Sequence, residues 1–388
     1  MKNYIVLKSL LLLMAFVSFV GNASAEIAAD TSFFEKGNVK YKKGDFLGAI
    51  EEFDKVLAKD PKNVEAYFNR GICRTEIGDN ESAIEDFNNV LELNHNHYKA
   101  FIKRGIAKEQ LGDQKGAIDD FSKALVHSPK DPDALSHRAN IKYLLSDYAG
   151  SIKDYTTLIE LAQPNNFEAF YKRGLARNEY GRFKEAIADF SRVIELYPKY
   201  NYAYFYRGFA KNHIDDYKGA IEDYTKVIEL DPNDKFSYYN RGYSKLQVMD
   251  FDGADKDYQK ATEIDPKFEE AYYQWAEVFA TSGNTKAAME KFNKAVELFP
   301  NHKDAYFNRG AYLTEIDKSK EAITDLTKAI ELNPKDKEAY YFRGIAYAQL
   351  NKNSEACLDL KQAEQLGDVR ATEMIKSVCG RNTPNLIK

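Results

Sequence analysis

Few residues of this 388-residue chain have the types and spacings that chemistry on a substrate needs. The three cysteines, Cys73, Cys357 and Cys379, match no zinc-binding spacing. His95 and His97, in Asn94-His95-Asn96-His97, have no further ligand close by and read as a solvated turn, so no metal is expected. There is no phosphate loop, nucleophile elbow or metal-ligand helix motif, and no cofactor is implied. The many carboxylates fall at solvent-facing positions of helical patterns, as ordinary surface charge does. The chain reads as non-enzymatic.

The chemistry that recurs is that of association. Arg70, Arg104, Arg138, Arg173, Arg207, Arg241, Arg309 and Arg343 are each followed sixteen residues later by an aspartate: Asp86, Asp120, Asp154, Asp189, Asp223, Asp257, Asp325 and Asp359. An earlier pair keeps the signs as Lys36 and Glu52, and one pair is lost jointly to Trp275 and Lys291. Joint loss points to salt bridges between consecutive helices of one unit, such as Arg207 with Asp223 and Arg241 with Asp257. Such pairs fix geometry more than they add stability. Trp275, the only tryptophan, either fills the space left by its missing pair or reads a partner; filling is the expectation.

A second constellation is aromatic: Tyr202, Phe205, Tyr206, Phe209, Phe236, Tyr239 and Tyr243. Packing between repeats accounts for Phe205 and Tyr239, because nearly every unit has a large residue there. It does not account for Tyr202, Tyr206, Phe236 and Tyr243. Tyrosine offers contact area together with a hydroxyl, which suits recognition of a protein or peptide; a glycan would suit it too.

The elements that position these residues repeat. Segment 201–234 holds two helical patterns, Tyr202 to about His213 and Tyr217 to Leu230, with a turn at Asp215-Asp216 and a stop at Asp231-Pro232. Shifted by its own length, the chain matches itself. Small residues recur at Gly37, Gly71, Gly105, Ala139, Gly174, Gly208, Gly242, Ala276, Gly310 and Gly344, spaced 34 apart except for one step of 35. Twelve residues after each comes Ala or Ser, and four further on Phe, Tyr or Leu, as in Gly208, Ala220 and Tyr224. Prolines close most units. A small residue facing a large one lets two helices pack closely.

This pattern resembles the tetratricopeptide repeat, a helix–turn–helix unit of this length. The resemblance covers ten units: 30–63, 64–97, 98–131, 132–166, 167–200, 201–234, 235–268, 269–302, 303–336 and 337–370. It implies an all-α, right-handed superhelical solenoid whose first helices line a concave groove, and a function as a scaffold or adaptor. The early tryptophan common in the family is Tyr or Phe here, and Leu135 in the fourth unit. Lysine never follows that early position, so the clamp by which some members hold chaperone C-termini is not expected. Segment 371–379 reads as a capping helix with Met374, Ile375 and Val378 on one side, followed by a flexible tail, 380–388.

Residues 1–25 read as an export signal: Lys2 and Lys8 are basic, Leu10–Val20 is apolar, and Ala23-Ser24-Ala25 fits a cleavage site. Cleavage would take the net charge from −5 to −7. No further spanning segment occurs, so no membrane insertion is expected after cleavage, and no basic patch points to nucleic acid. In an exported chain Cys357 and Cys379 are a candidate disulfide stapling the C-terminal cap, with Cys73 left as a buried thiol. The expectation is a periplasmic or secreted bacterial protein that grips a protein or peptide in its groove. The alternative is a structural subunit of an envelope complex, held through its convex face or ends.

Overall fold

The computed structural model describes residues 33–379. The expected signal at 1–25, the first residues of the first repeat and the tail at 380–388 lie outside the described residues. Every described element is a helix, and the helices follow one another as antiparallel pairs.

Segment 201–234 shows why. Its first helix spans Asn201–Asn212 and its second Tyr217–Leu230. Asp216 caps the second helix by accepting the Gly219 N–H at 3.1 Å, filling one of the donors that a helix start leaves unpaired. At the other end the Asp231 N–H donates to the Val227 carbonyl, and Pro232 prevents continuation. Between the helices Asp215 takes a left-handed φ of 61°. The equivalent turn residue is glycine in several repeats, for example Gly78 and Gly112, because glycine adopts that conformation at no steric cost.

The helices of a pair approach closely because a glycine meets an aromatic ring. A Cβ built on Gly71 would lie 2.8 Å from Phe87, and one built on Gly208 would lie 3.0 Å from Tyr224. Ala220 and Tyr224 are wholly buried beneath this contact. The early aromatic of the first helix then packs on the same ring: Phe205 meets Tyr224 edge-on at 5.7 Å, and Tyr239 meets Tyr258 at 5.8 Å. Phe205 and Tyr239 were expected to pack between repeats. The rings just named belong to their own repeats, and Tyr239 also packs against a cluster that includes Ala271 and Val278 of the next one.

The described residues divide into two compact halves, the first ending at Tyr197 and the second starting at Pro198. Within each half, the first helices of successive repeats touch one another, whereas successive second helices show no comparable contact among the described residues. The first helices therefore line the inner face of each half. In the second half the last element is a helix over Val369–Cys379, starting two residues before the expected cap. It lies on the second helix of the last repeat, with Ala371 buried and Met374, Ile375 and Val378 half-buried. Cys379 is disulfide-bonded to Cys357, with 5.7 Å between their Cα atoms, and Cys73 is a buried free thiol.

Candidate functional site

Each arginine-aspartate pair is a two-pronged bridge inside one repeat. Arg207 donates from Nε and Nη2 to the two oxygens of Asp223 at 2.9 and 2.6 Å, and Arg241 does the same to Asp257 at 2.9 and 2.7 Å. The aspartates are buried, so each needs every donor it can find. In six of the eight repeats a second cation one turn after the arginine supplies the next, as Lys211 does for Asp223 and Lys245 for Asp257, both at 2.8 Å. Many arginines also reach the second helix of the preceding repeat through Nη1, as Arg241 does to Thr225 at 3.1 Å and Arg309 to Asn293 at 2.9 Å. The pair was expected to act within one repeat only; the third nitrogen makes it a tie between repeats as well. In the first repeat Glu52 is held by Lys40 at 2.9 Å and Lys55 at 3.0 Å, not by Lys36. Lys36 lies 5.5 Å from the centroid of Phe33 instead.

The repeat that lacks the pair replaces it with different physics. The Lys291 ammonium sits 3.7 Å from the Trp275 ring centroid, and the indole N–H donates to Asp255 at 2.5 Å, in the preceding second helix. Trp275 is half-buried in this role, as expected of a space-filling residue.

The structure gathers part of the aromatic constellation around one cavity of about 200 Å³, lined by Asn201, Tyr202, Phe205, Tyr206, Val227, Asp231, Asp234 and Phe236. Tyr202 is 56% exposed and Phe236 49%, which neither would be if packing were its purpose. Phe205 forms the back wall, edge-on to Tyr206 at 5.3 Å. The Lys235 ammonium lies 4.9 Å from the centroids of both Phe236 and Phe268 and pairs with Asp265, whose carboxyl it holds below the usual range. The lining carboxylates are occupied. Asp234 accepts from the Ser237 hydroxyl at 2.6 Å and from the Phe236 N–H at 3.3 Å, while Asp231 accepts from the Asn233 N–H at 3.1 Å. The cavity thus presents aromatic rings together with two carboxylates whose hydrogen-bond donors are all neutral, so both keep their charge.

The other three residues lie elsewhere. Phe209 packs on His213 at 4.5 Å, Tyr243 on Tyr217 at 6.5 Å, and Tyr239 on Tyr258 and Phe268. Tyr239 also lines a larger opening, of about 500 Å³, that sequence reasoning did not single out.

Among the described residues one group has metal-ligand character, Glu269 with His302 and Asp304. Its charges are met by neighbours: Tyr273 donates to Glu269, and Lys303 lies 2.5 Å from Asp304. The group reads as an ion-pair network. No described helix is long and apolar enough to cross a membrane.

Comparison with known proteins follows the same geometry. Profiles described as TPR repeat and tetratricopeptide repeat match residues 37–72, 64–97, 137–201, 179–235, 239–303 and 291–324, together more than half of the chain. No curated protein sequence matches the chain. Among solved structures it is similar to the C-terminal part of a TPR repeat-containing protein from Cytophaga hutchinsonii, with 22% identity and a TM-score of 0.53, over 62% of this chain and 98% of that one. It is also similar to MamA from Desulfovibrio magneticus, with 24% identity and a TM-score of 0.41, over 44% of this chain and 96% of that one. A third is YrrB, described as a TPR protein with an unusual peptide-binding site, with 23% identity and a TM-score of 0.38, over 48% of this chain and 97% of that one.

Proposed function

The chain belongs to the tetratricopeptide-repeat family, and we propose that it is a non-catalytic adaptor whose inner face grips a partner protein or peptide at the cavity between Tyr202 and Phe236. The observation that carries this reading is the exposure of those two rings on consecutive first helices, flanking a cavity backed by Phe205 and Tyr206. Full burial of an aromatic side chain contributes roughly 1.5–3 kcal/mol. Two such rings closing on one inserted apolar side chain would anchor a peptide. The contact that we assign to the anchor is the apolar one, made by the exposed rings of Tyr202 and Phe236, with the carboxylates of Asp231 and Asp234 beside it.

The compartment we propose is the bacterial periplasm or the exterior, on the strength of the basic, apolar and small-residue segments of 1–25. The test is affinity capture from an envelope extract with wild-type protein beside a Tyr202→Ser, Tyr206→Ser, Phe236→Ser variant of unchanged helicity. A partner held by the wild type and lost by the variant supports the reading. Equal capture by both assigns binding to the outer face or the ends, as in a structural subunit.

A further inference from the structure

The larger opening lies on the inner face of the second half and is built by four consecutive first helices. Tyr239 comes from Lys235–Gln247; Glu270, Tyr273, Gln274 and Glu277 from Glu269–Thr281; Asn308, Ala311 and Glu315 from Lys303–Glu315; and Phe342 from Lys337–Gln349. Two features of the sequence open it. Ala311 is the smallest of the ten residues that directly follow the conserved-spacing small residue of each first helix; the others include Ile72, Phe209, Tyr243 and Ile345. The repeat that carries Trp275 and Lys291 also lacks the arginine-aspartate tie, and its second helix packs more sparsely on the next repeat than at any other such junction in this half.

The lining is one-signed. Glu270, Glu277 and Glu315 are its only formally charged residues, and all three are acids. Partial loss of water and the charge of Glu277 push the Glu315 carboxyl above its usual range, so the site carries negative charge that its own walls do not neutralise. Aromatic walls add to this. Phe307 meets Phe342 edge-on at 5.9 Å, Tyr312 lies 5.2 Å from Phe292, and all four rings line the opening. Carboxylates and aromatic rings lining one opening favour an organic cation, through Coulomb attraction and the ring quadrupole together.

We propose that this opening is a second subsite of the inner face that receives the cationic side chain, arginine or lysine, of an extended peptide. Glu277 and Glu315 take the charge, while Tyr273, Phe307 and Phe342 enclose the aliphatic stem. The volume of about 500 Å³ accommodates such a side chain and the backbone that carries it. The inference rests on the reading that the inner face binds peptides, but it concerns charge where the first cavity concerns apolar contact, so the two fail separately.

The experiment is fluorescence anisotropy with four labelled heptapeptides, Gly-Ser-Ala-X-Ala-Ser-Gly, where X is arginine, lysine, citrulline or glutamate. They are titrated into wild-type protein, a Glu277→Gln, Glu315→Gln variant and a Tyr202→Ser, Phe236→Ser variant, with helicity checked for each. The arginine and lysine peptides should bind about tenfold or more tighter than the citrulline peptide, the difference one well-placed charge contact makes. The preference should collapse in the glutamine variant and persist in the first-cavity variant. Equal or absent binding of arginine and citrulline peptides, a preference that survives in the glutamine variant, or one lost in the first-cavity variant would overturn the assignment.

Discussion

The ammonium of Lys291 rests 3.7 Å from the ring centroid of Trp275, at the two positions where eight other repeats hold a buried arginine-aspartate bridge. One repeat has exchanged an ion pair for a cation–π pair while keeping the helices together. The exchange shows what the bridge does: it ties two helices at fixed separation, and its chemistry is replaceable if both members change. Breaking a buried pair by removing one partner costs about 3–5 kcal/mol where the other charge is left uncompensated, and less at Asp223, where Lys211 remains. A double-mutant cycle on Arg207→Ala and Asp223→Ala should therefore show coupling above about 1 kcal/mol in chemical denaturation. Coupling near zero would mean the bridge is ornamental.

The turns offer a stabilising change. Met249 holds a left-handed φ of 62° and is 75% exposed, at the position where other repeats place glycine. A left-handed residue other than glycine costs roughly 1–2 kcal/mol, partly offset by glycine's greater entropy loss on folding, so Met249→Gly should gain about 0.5–1 kcal/mol. Thermal unfolding measures it, and a loss would show that the Met249 side chain makes a compensating contact.

Tyr155, Tyr224 and Tyr258 stand where five other repeats put phenylalanine. The hydroxyls of Tyr224 and Tyr258 are buried with no hydrogen-bond partner among the described residues. A buried donor left unpaired costs about 1–3 kcal/mol, so Tyr224→Phe should be neutral or stabilising in urea denaturation. A clear loss would mean the hydroxyl has a partner, such as an ordered water.

The thiols give a pH-dependent test. Burial pushes the Cys73 thiol up to about 11, so the folded protein resists its ionisation while the unfolded chain does not. In that window the native state binds more protons, and stability falls as pH rises through it. The loss begins near the ordinary thiol value of about 8.5 and is complete at the raised one. Cys73→Ala should flatten the dependence of Tm on pH over this range, relative to wild type. A thiol reagent should label no cysteine in the native oxidised protein and one after denaturation, since Cys357 and Cys379 are paired and Cys73 is buried. Three labelled thiols without reductant would contradict that pairing.

The periodic record of the chain made the helices and their pairing legible, because glycine against a ring, as in Gly208 and Tyr224, is a short-range geometric demand that each repeat restates. Less legible was what depends on side-chain reach. The Arg241 Nη1 contact to Thr225 links residues on different repeats and leaves no joint pattern of loss. Lys211 and Lys245 look like solvent-facing charges until a buried aspartate turns out to lie within their reach. The seven-residue aromatic constellation is split because residues two turns apart on a first helix face different neighbours: Tyr202 faces a cavity and Phe209 faces His213. The second opening was hidden because Glu277 and Glu315, taken singly, are ordinary surface carboxylates, and a cavity made by the small size of Ala311 is a property of three dimensions.

The central claim is that the partner lies against Tyr202, and site-specific photocrosslinking tests it most directly. Benzoylphenylalanine would replace Tyr202 in one variant and, in another, Leu358, a 70% exposed residue of a second helix. Irradiation in an envelope extract should give a discrete adduct from position 202 that disappears when Phe236→Ser is added, and none from position 358. An adduct from position 358 with none from position 202 would contradict the account and move the function to the outer face.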